Sequence, residues 1–156
     1  MKLTGKLLLP ALSITLSGVN AQSSSDNPQF DEALARKLGA DDYGMKTYTW
    51  VILKTGPNTS TDRERINTAF RGHLANINQL VEAGKLVEAG PLMKNDQAYR
   101  GIFIFDTADH DEVKKLLDTD PAIQEGFLIP ELFTWYGSAA LPAYLEVSDK
   151  VWKKKP

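Results

Sequence analysis

No cysteine occurs anywhere in the 156 residues. This excludes disulfides within the chain, Cys-based zinc sites, a thiol nucleophile and a lipidated cysteine. Histidine is nearly as scarce: His73 and His110 stand far apart with no H-x-x-x-H spacing, so no dedicated metal site is expected. G-x-S-x-G, the Walker loop and G-x-G-x-x-G are all missing, which removes the commonest hydrolase and nucleotide signatures. An excess of one charge is missing too. With 20 acidic against 18 basic residues the net charge is −2, and nothing electrostatic points to nucleic acid. What is present, 42% hydrophobic and 24% charged residues, is the balance of a folded soluble protein. The length allows one ordinary domain with extra segments.

Residues 1–21 read as a secretory signal. Lys2 and Lys6 form a positive start, and Leu7 to Val19 is an apolar stretch of 13 residues without a charge. That is short of the about 20 helical residues needed to span a bilayer core of ~30 Å. Val19-Asn20-Ala21 places small residues where a signal peptidase reads, while Pro10 and Gly18 disfavour a buried helix or an uncleaved anchor. Cleavage after Ala21 removes two lysines and no acids, taking the net charge from −2 to −4. The expectation is an exported protein, periplasmic or secreted, with no membrane contact after cleavage. Without the disulfides open to exported proteins, it must rely on its core.

Residues 22–44 are expected to form a flexible leader that holds a short helix, Asp31 to Leu38, stopped at Gly39. The main domain is expected over 45–137, with a C-terminal extension over 138–156. Lys46 to Lys54 (KTYTWVILK) is β-branched and aromatic and predicts the first strand. Thr61 and Glu64 have capping-box spacing before a helix that runs to about Val81, with Gly84 beyond it. Its apolar stripe is Ile66, Phe70, Ile77 and Leu80, with Ala69, Leu74 and Val81 beside it, and His73 falls at the gap. A short strand, Lys85 to Glu88, precedes the Gly90-Pro91-Leu92 turn and a polar loop, and Tyr99 to Phe105 (YRGIFIF) is the third strand. Asp109 and Glu112 repeat the capping spacing ahead of Val113, Leu116 and Leu117. Asp120-Pro121 starts another helical turn, and Phe127 to Tyr136 is the last strand, placed at a sheet edge by Pro130.

The order β-α-β-β-α-β is the α+β, ferredoxin-like split-βαβ pattern of an antiparallel sheet. Its first and third strands are central, and two helices cover one face. Ile102 to Phe105 make both faces of the third strand apolar, so the face away from the helices needs a cover. A second subunit laid sheet to sheet, giving a dimeric α+β barrel, is the favoured expectation. The alternative cover is the C-terminal extension.

From Thr61 to Tyr136 the chain resembles the YCII-related (YciI-like) family of the dimeric α+β barrel superfamily. The features are RGHLANINQLVEAGKLVEAGPL, with its histidine early in the first helix and its GPL turn; the glycine-led strand in YRGIFIF; and DTDPAIQEG, with an Asp-Pro after the second helix. The resemblance implies a dimeric ferredoxin-like fold with a small cleft between helices and sheet. It implies a His-Asp active site, which falls here on His73 and Asp120. Relatives in the wider superfamily include lactone isomerases and a dehydrochlorinase acting on small cyclic compounds. Ala122 departs from the aromatic residue usual after the Asp-Pro, and the export signal and terminal extensions depart from the compact cytosolic members.

An imidazole is the side chain best suited to exchanging protons near neutral pH, which makes His73 the leading general acid or base. A core-edge histidine bonded to a carbonyl is the structural alternative. Asp120 before Pro121 is a natural helix cap, and its second oxygen is free to orient His73. Asp118 is a neighbouring substitute. His110, in the acidic start ADHDEV, reads as a surface residue. Tyr48, Trp50 and Ile52 alternate onto one face and read as core or dimer interface, and VWKKKP is too short for a binding patch. The expected function is cofactor-free proton transfer on a small molecule, of isomerase or lyase type. A non-catalytic dimeric module for small-ligand binding or assembly is the alternative.

Overall fold

The computed structural model of the chain describes residues 27–153, so the expected signal at 1–21 lies outside the described residues. The chain divides into two units between Phe30 and Asp31, and the fold and the site belong to the second. Asp31 caps α1 (Glu32–Leu38), its carboxylate accepting the Leu34 N–H at 2.9 Å, and Gly39 ends the helix in the left-handed conformation at φ 71°. β1 (Met45–Thr55) follows.

Next comes α2 (Arg63–Glu82), and its cap differs from the expected Thr61. The residue that caps is Asp62, whose Oδ1 accepts the N–H groups of Glu64 at 2.9 Å and Arg65 at 3.2 Å. A carboxylate there also meets the positive end of the helix dipole, an advantage that a threonine hydroxyl lacks. β2 (Leu86–Pro91) runs beyond its expected end, with Gly90-Pro91 inside the strand rather than in a turn. β3 (Tyr99–Phe105) has the predicted bounds, and Asp109 caps α3 (His110–Leu117). α4 (Pro121–Gln124), β4 (Leu128–Ser138), a short 3-10 helix (Leu141–Tyr144) and α5 (Leu145–Ser148) complete the order.

The strands form one antiparallel sheet in the order β2-β3-β1-β4. β1 and β3 are central and Pro130 lies on an edge strand, as the sequence predicts. This is the ferredoxin-like α+β architecture. Cross-strand partners share a face, and the pairs Thr49–Phe105 and Val51–Phe103 point toward the helices. There Val51, Phe103 and Phe105 meet Leu80 of α2 and Val113 and Leu117 of α3 in the buried core. Leu74, expected beside the buried stripe of α2, is instead half exposed at 51%.

The opposite face carries the pairs Trp50–Ile104, Ile52–Ile102 and Trp50–Phe133. Tyr48 at one end of it is fully buried beside Trp135 and donates its hydroxyl to the Ser138 carbonyl at 2.8 Å. The C-terminal extension leaves β4 on one edge and reaches β2 on the other, where the Tyr144 hydroxyl donates to the Val87 carbonyl at 2.7 Å. Ile129 and Phe133 remain 46% and 41% exposed. Among the described residues, no helix is long and apolar enough to cross a membrane.

Candidate active site

His73 and Asp120 are 47 positions apart in the chain and meet at 2.6 Å, between imidazole Nδ1 and carboxylate Oδ2. Local sequence positions each of them. On α2, a helix of 20 residues, Ala69, Asn76 and Leu80 are buried, and His73 lies on the same side with its side chain 12% exposed. Asp120 stands where α3 ends and α4 begins, and its N–H is held by the Leu117 carbonyl at 3.0 Å. Its Oδ1 accepts the Ala122 N–H at 2.9 Å and the Ile123 N–H at 3.4 Å, capping α4, and Pro121 takes the first helical position. One carboxylate oxygen thus holds the helix and the other holds the imidazole. Those donors offset the cost of a carboxylate that is fully buried.

Two contacts draw α2 against the α3–α4 turn. A Cβ on Gly72 would lie 2.6 Å from Pro121 Cγ, so only glycine lets the helix approach this closely. One turn further, the buried Asn76 amide donates to Thr119 Oγ1 at 2.7 Å, and that hydroxyl donates to the Leu116 carbonyl at 2.6 Å. A carboxylate oxygen can only accept, so Nδ1 is the donor in this contact. Nε2 then has no hydrogen-bond partner among the described residues. The imidazole stacks on Phe103, with ring centres 5.8 Å apart and planes 25° apart, and takes Phe70 edge-on at 6.0 Å.

His73 lines a cavity of about 350 Å³ between α2 and the sheet, walled by Phe70, Ile77, Phe103, Leu53 and Leu128, with Leu74, Asn78 and Arg100 also lining it. A family model of the YCII-related domain matches residues 48–135, from β1 through β4. The chain belongs to the YCII-related family. The match begins upstream of the Thr61–Tyr136 segment that carries the resemblance in the sequence and takes in the first strand.

One solved structure similar to this YCII-related chain is 5-chloro-2-hydroxyhydroquinone dehydrochlorinase (TftG) from Burkholderia phenoliruptrix, in complex with 2,5-dihydroxybenzoquinone. The two are 20% identical, with a TM-score of 0.42, over 56% of this chain and 92% of that one. No curated protein matches the chain.

The other candidate residues of this YCII-related chain lie apart from the His73–Asp120 pair. His110 faces Thr134 Oγ1 on β4 at 3.2 Å. Asp118 is exposed, and its backbone carbonyl accepts from Gln124. Tyr48, Trp50 and Ile52 share the face of the sheet away from the helices. Among the described residues no group of three or more His, Asp or Glu side chains is arranged to hold a metal. A more open depression of about 480 Å³, lined by Asp62, Arg65, Gly72 and Glu125, has no His73 in its wall.

Gly72, Asn76 and Phe103 are parts of the site that the sequence reading missed. Asn76 follows His73 by three on the buried side of α2, and a polar residue at that position is a signal for a buried hydrogen bond. Gly72 is a helix-disfavouring residue inside a long helix, which points to a packing reason for it.

Proposed function

We propose that this YCII-related protein is an exported small-molecule enzyme in which His73 moves a proton under the direction of Asp120. The observation that carries the reading is the 2.6 Å Nδ1–Oδ2 contact at the wall of an apolar cavity. Asp120 fixes the tautomer, so the basic nitrogen is Nε2. Nε2 would take a proton from a carbon next to a carbonyl, and the buried carboxylate would stabilise the imidazolium that forms. The electron pair left on carbon passes into the carbonyl as an enolate. Return of the proton at another carbon gives an isomerisation, and departure of an anionic leaving group from the adjacent carbon gives an elimination. Neither course needs a cofactor.

The test is a thermal-stabilisation screen of small cyclic carbonyl compounds against wild type and His73→Ala. Hits are then incubated in D₂O and followed by NMR for carbon-bound deuterium or for elimination product. Turnover in wild type that is lost in His73→Ala and sharply reduced in Asp120→Asn supports the enzyme. Ligands that bind both proteins equally and undergo no exchange would leave the non-catalytic binding module as the correct reading.

The same reading includes export and a homodimer. The exposed Ile129 and Phe133, both on the face away from the helices, support a second subunit there. Light scattering on the secreted product should give twice the chain mass, and Phe133→Glu should give a monomer. Mass spectrometry of that product should find Gln22 at its start. A wild-type monomer at high concentration or an intact signal would remove the respective part.

A further inference from the structure

Arg100 sets the chemical class of the ligand. We infer that the cavity beside His73 takes a compact molecule with an apolar body and one carboxylate, and that Arg100 binds the carboxylate at the rim; this rests on the cavity being the substrate site. Arg100 lines the cavity and is exposed, which places it at the opening with Leu74 and Asn78. Among the described residues it is the one of permanent charge in the lining, and no Asp or Glu of them shares that lining. Asp120 is buried behind the imidazole, its side chain 1% exposed and already occupied by His73 and the start of α4. An anion therefore meets only attraction on entering, whereas an ammonium meets repulsion from Arg100 with no carboxylate to offset it.

The fold also singles out this position. The β1–β3 register pairs Leu53 with Gly101 and Lys54 with Tyr99, so Arg100 is the extra residue of a bulge with no partner on β1. Bulges release a residue from the ladder and re-aim its side chain, and they gather next to ligand sites. Among the described residues the Arg100 guanidinium makes no salt bridge, while Lys54 and Lys85 are each paired with a glutamate. A free planar guanidinium is matched in shape to a carboxylate, which it binds through two parallel hydrogen bonds.

The remaining lining sets the size and the body of the ligand. At roughly 30 Å³ per water, about 350 Å³ is the room of about a dozen waters, enough for a single ring with its substituents. Phe70, Phe103, Ile77, Leu53 and Leu128 offer that ring no hydrogen bonds, so its polar group must face the rim. An acid held there by Arg100 presents its carbon skeleton to His73.

Calorimetry of the full chain with benzoate, benzamide and benzylamine tests this with probes of one shape and three charges. Wild type should bind benzoate most tightly and benzylamine least. Arg100→Gln should weaken benzoate by about tenfold or more while leaving benzamide unchanged, and Arg100→Lys should recover part of the loss. Both variants sit on an exposed position, and unaltered melting temperatures will verify their folds. His73→Ala should retain the preference for benzoate, so a failure of the proton-transfer reading leaves this inference standing. An Arg100→Gln protein that binds benzoate as wild type does would overturn the inference. So would a wild type that binds the amide or amine at least as well, or binds none of the three.

Discussion

Replacing Gly72 by alanine would set a methyl carbon 2.6 Å from Pro121 Cγ and 3.1 Å from its Cβ. Carbon atoms rest at about 3.5–4.0 Å, so the contact is short by roughly 1 Å. The pyrrolidine ring has no side-chain rotation by which to yield, and it is fixed at the first position of α4. The relief must come from α2 and α4 moving apart by about that ångström. His73 follows Gly72 and Asp120 precedes Pro121, so the movement falls on the 2.6 Å dyad contact and stretches it beyond hydrogen-bond range. Stability will report this poorly. Alanine gains ~1 kcal/mol over glycine inside a helix, overpacking costs ~1–3 kcal/mol, and the net change is a loss of about 0–2 kcal/mol. Proton NMR of the Nδ1–H is the direct assay, because a proton shared with a carboxylate resonates far downfield. That resonance should be present in wild type and in Pro121→Ala, absent in Gly72→Ala, and restored in the double variant, where the clashing ring is gone. A Gly72→Ala protein that keeps the resonance unshifted would refute the claim that this glycine sets the dyad distance.

Two further outcomes concern the contacts around the dyad and a third concerns Tyr48. Asp120→Asn keeps a capping oxygen for Ala122 and should change stability little, whereas Asp120→Ala loses the cap and strands the His73 N–H, a loss of about 1–3 kcal/mol by urea denaturation; equal losses would contradict the division of labour between the two oxygens. Asn76→Ala removes the 2.7 Å bond to Thr119 and should cost about 1–2 kcal/mol, with a weakened Nδ1–H resonance, while an unaffected resonance would show that this clamp does not serve the dyad. Burial, with Asp106 nearby, pushes the Tyr48 phenol up to about 12, against about 10 in an unfolded chain. Its contribution is therefore complete below pH ~10 and is lost as the pH rises to about 12, because the unfolded chain releases the proton first. The slope is up to ~1.4 kcal/mol per pH unit, and Tyr48→Phe should flatten alkaline denaturation curves by that amount; an unchanged slope would reject the assignment.

The strand order and the helix-covered face were readable because both depend on local pattern. Alternation in KTYTWVILK and the unbroken apolar run of IFIF mark the central strands, and Pro130 marks an edge. Asp109 and Asp120 were readable as caps for the same local reason. The cap of α2 was displaced by one residue because Thr61 and Asp62 are both good capping residues, and spacing to Glu64 favours the weaker one. Leu74 was misplaced because a stripe read at helical spacing does not reveal that a cavity opens beside it.

The dyad itself shows where local reading ends. The gap in the stripe of α2 points to His73, and the Asp-Pro step points to Asp120, but neither signal contains their separation. That separation depends on Gly72 against Pro121 and on Asn76 against Thr119, contacts between segments more than forty residues apart. Each of those residues has an ordinary local explanation: a glycine tolerated in a long helix, a proline at a first helical position, an exposed threonine in a turn. Only their juxtaposition makes them part of a site. The consequence is a coupling between the fold and the candidate site, because Asp120 gives one oxygen to α4 and the other to His73. A change that loosens α4 therefore frees the imidazole as well, and the 2.6 Å contact between His73 and Asp120 should fail before the core does.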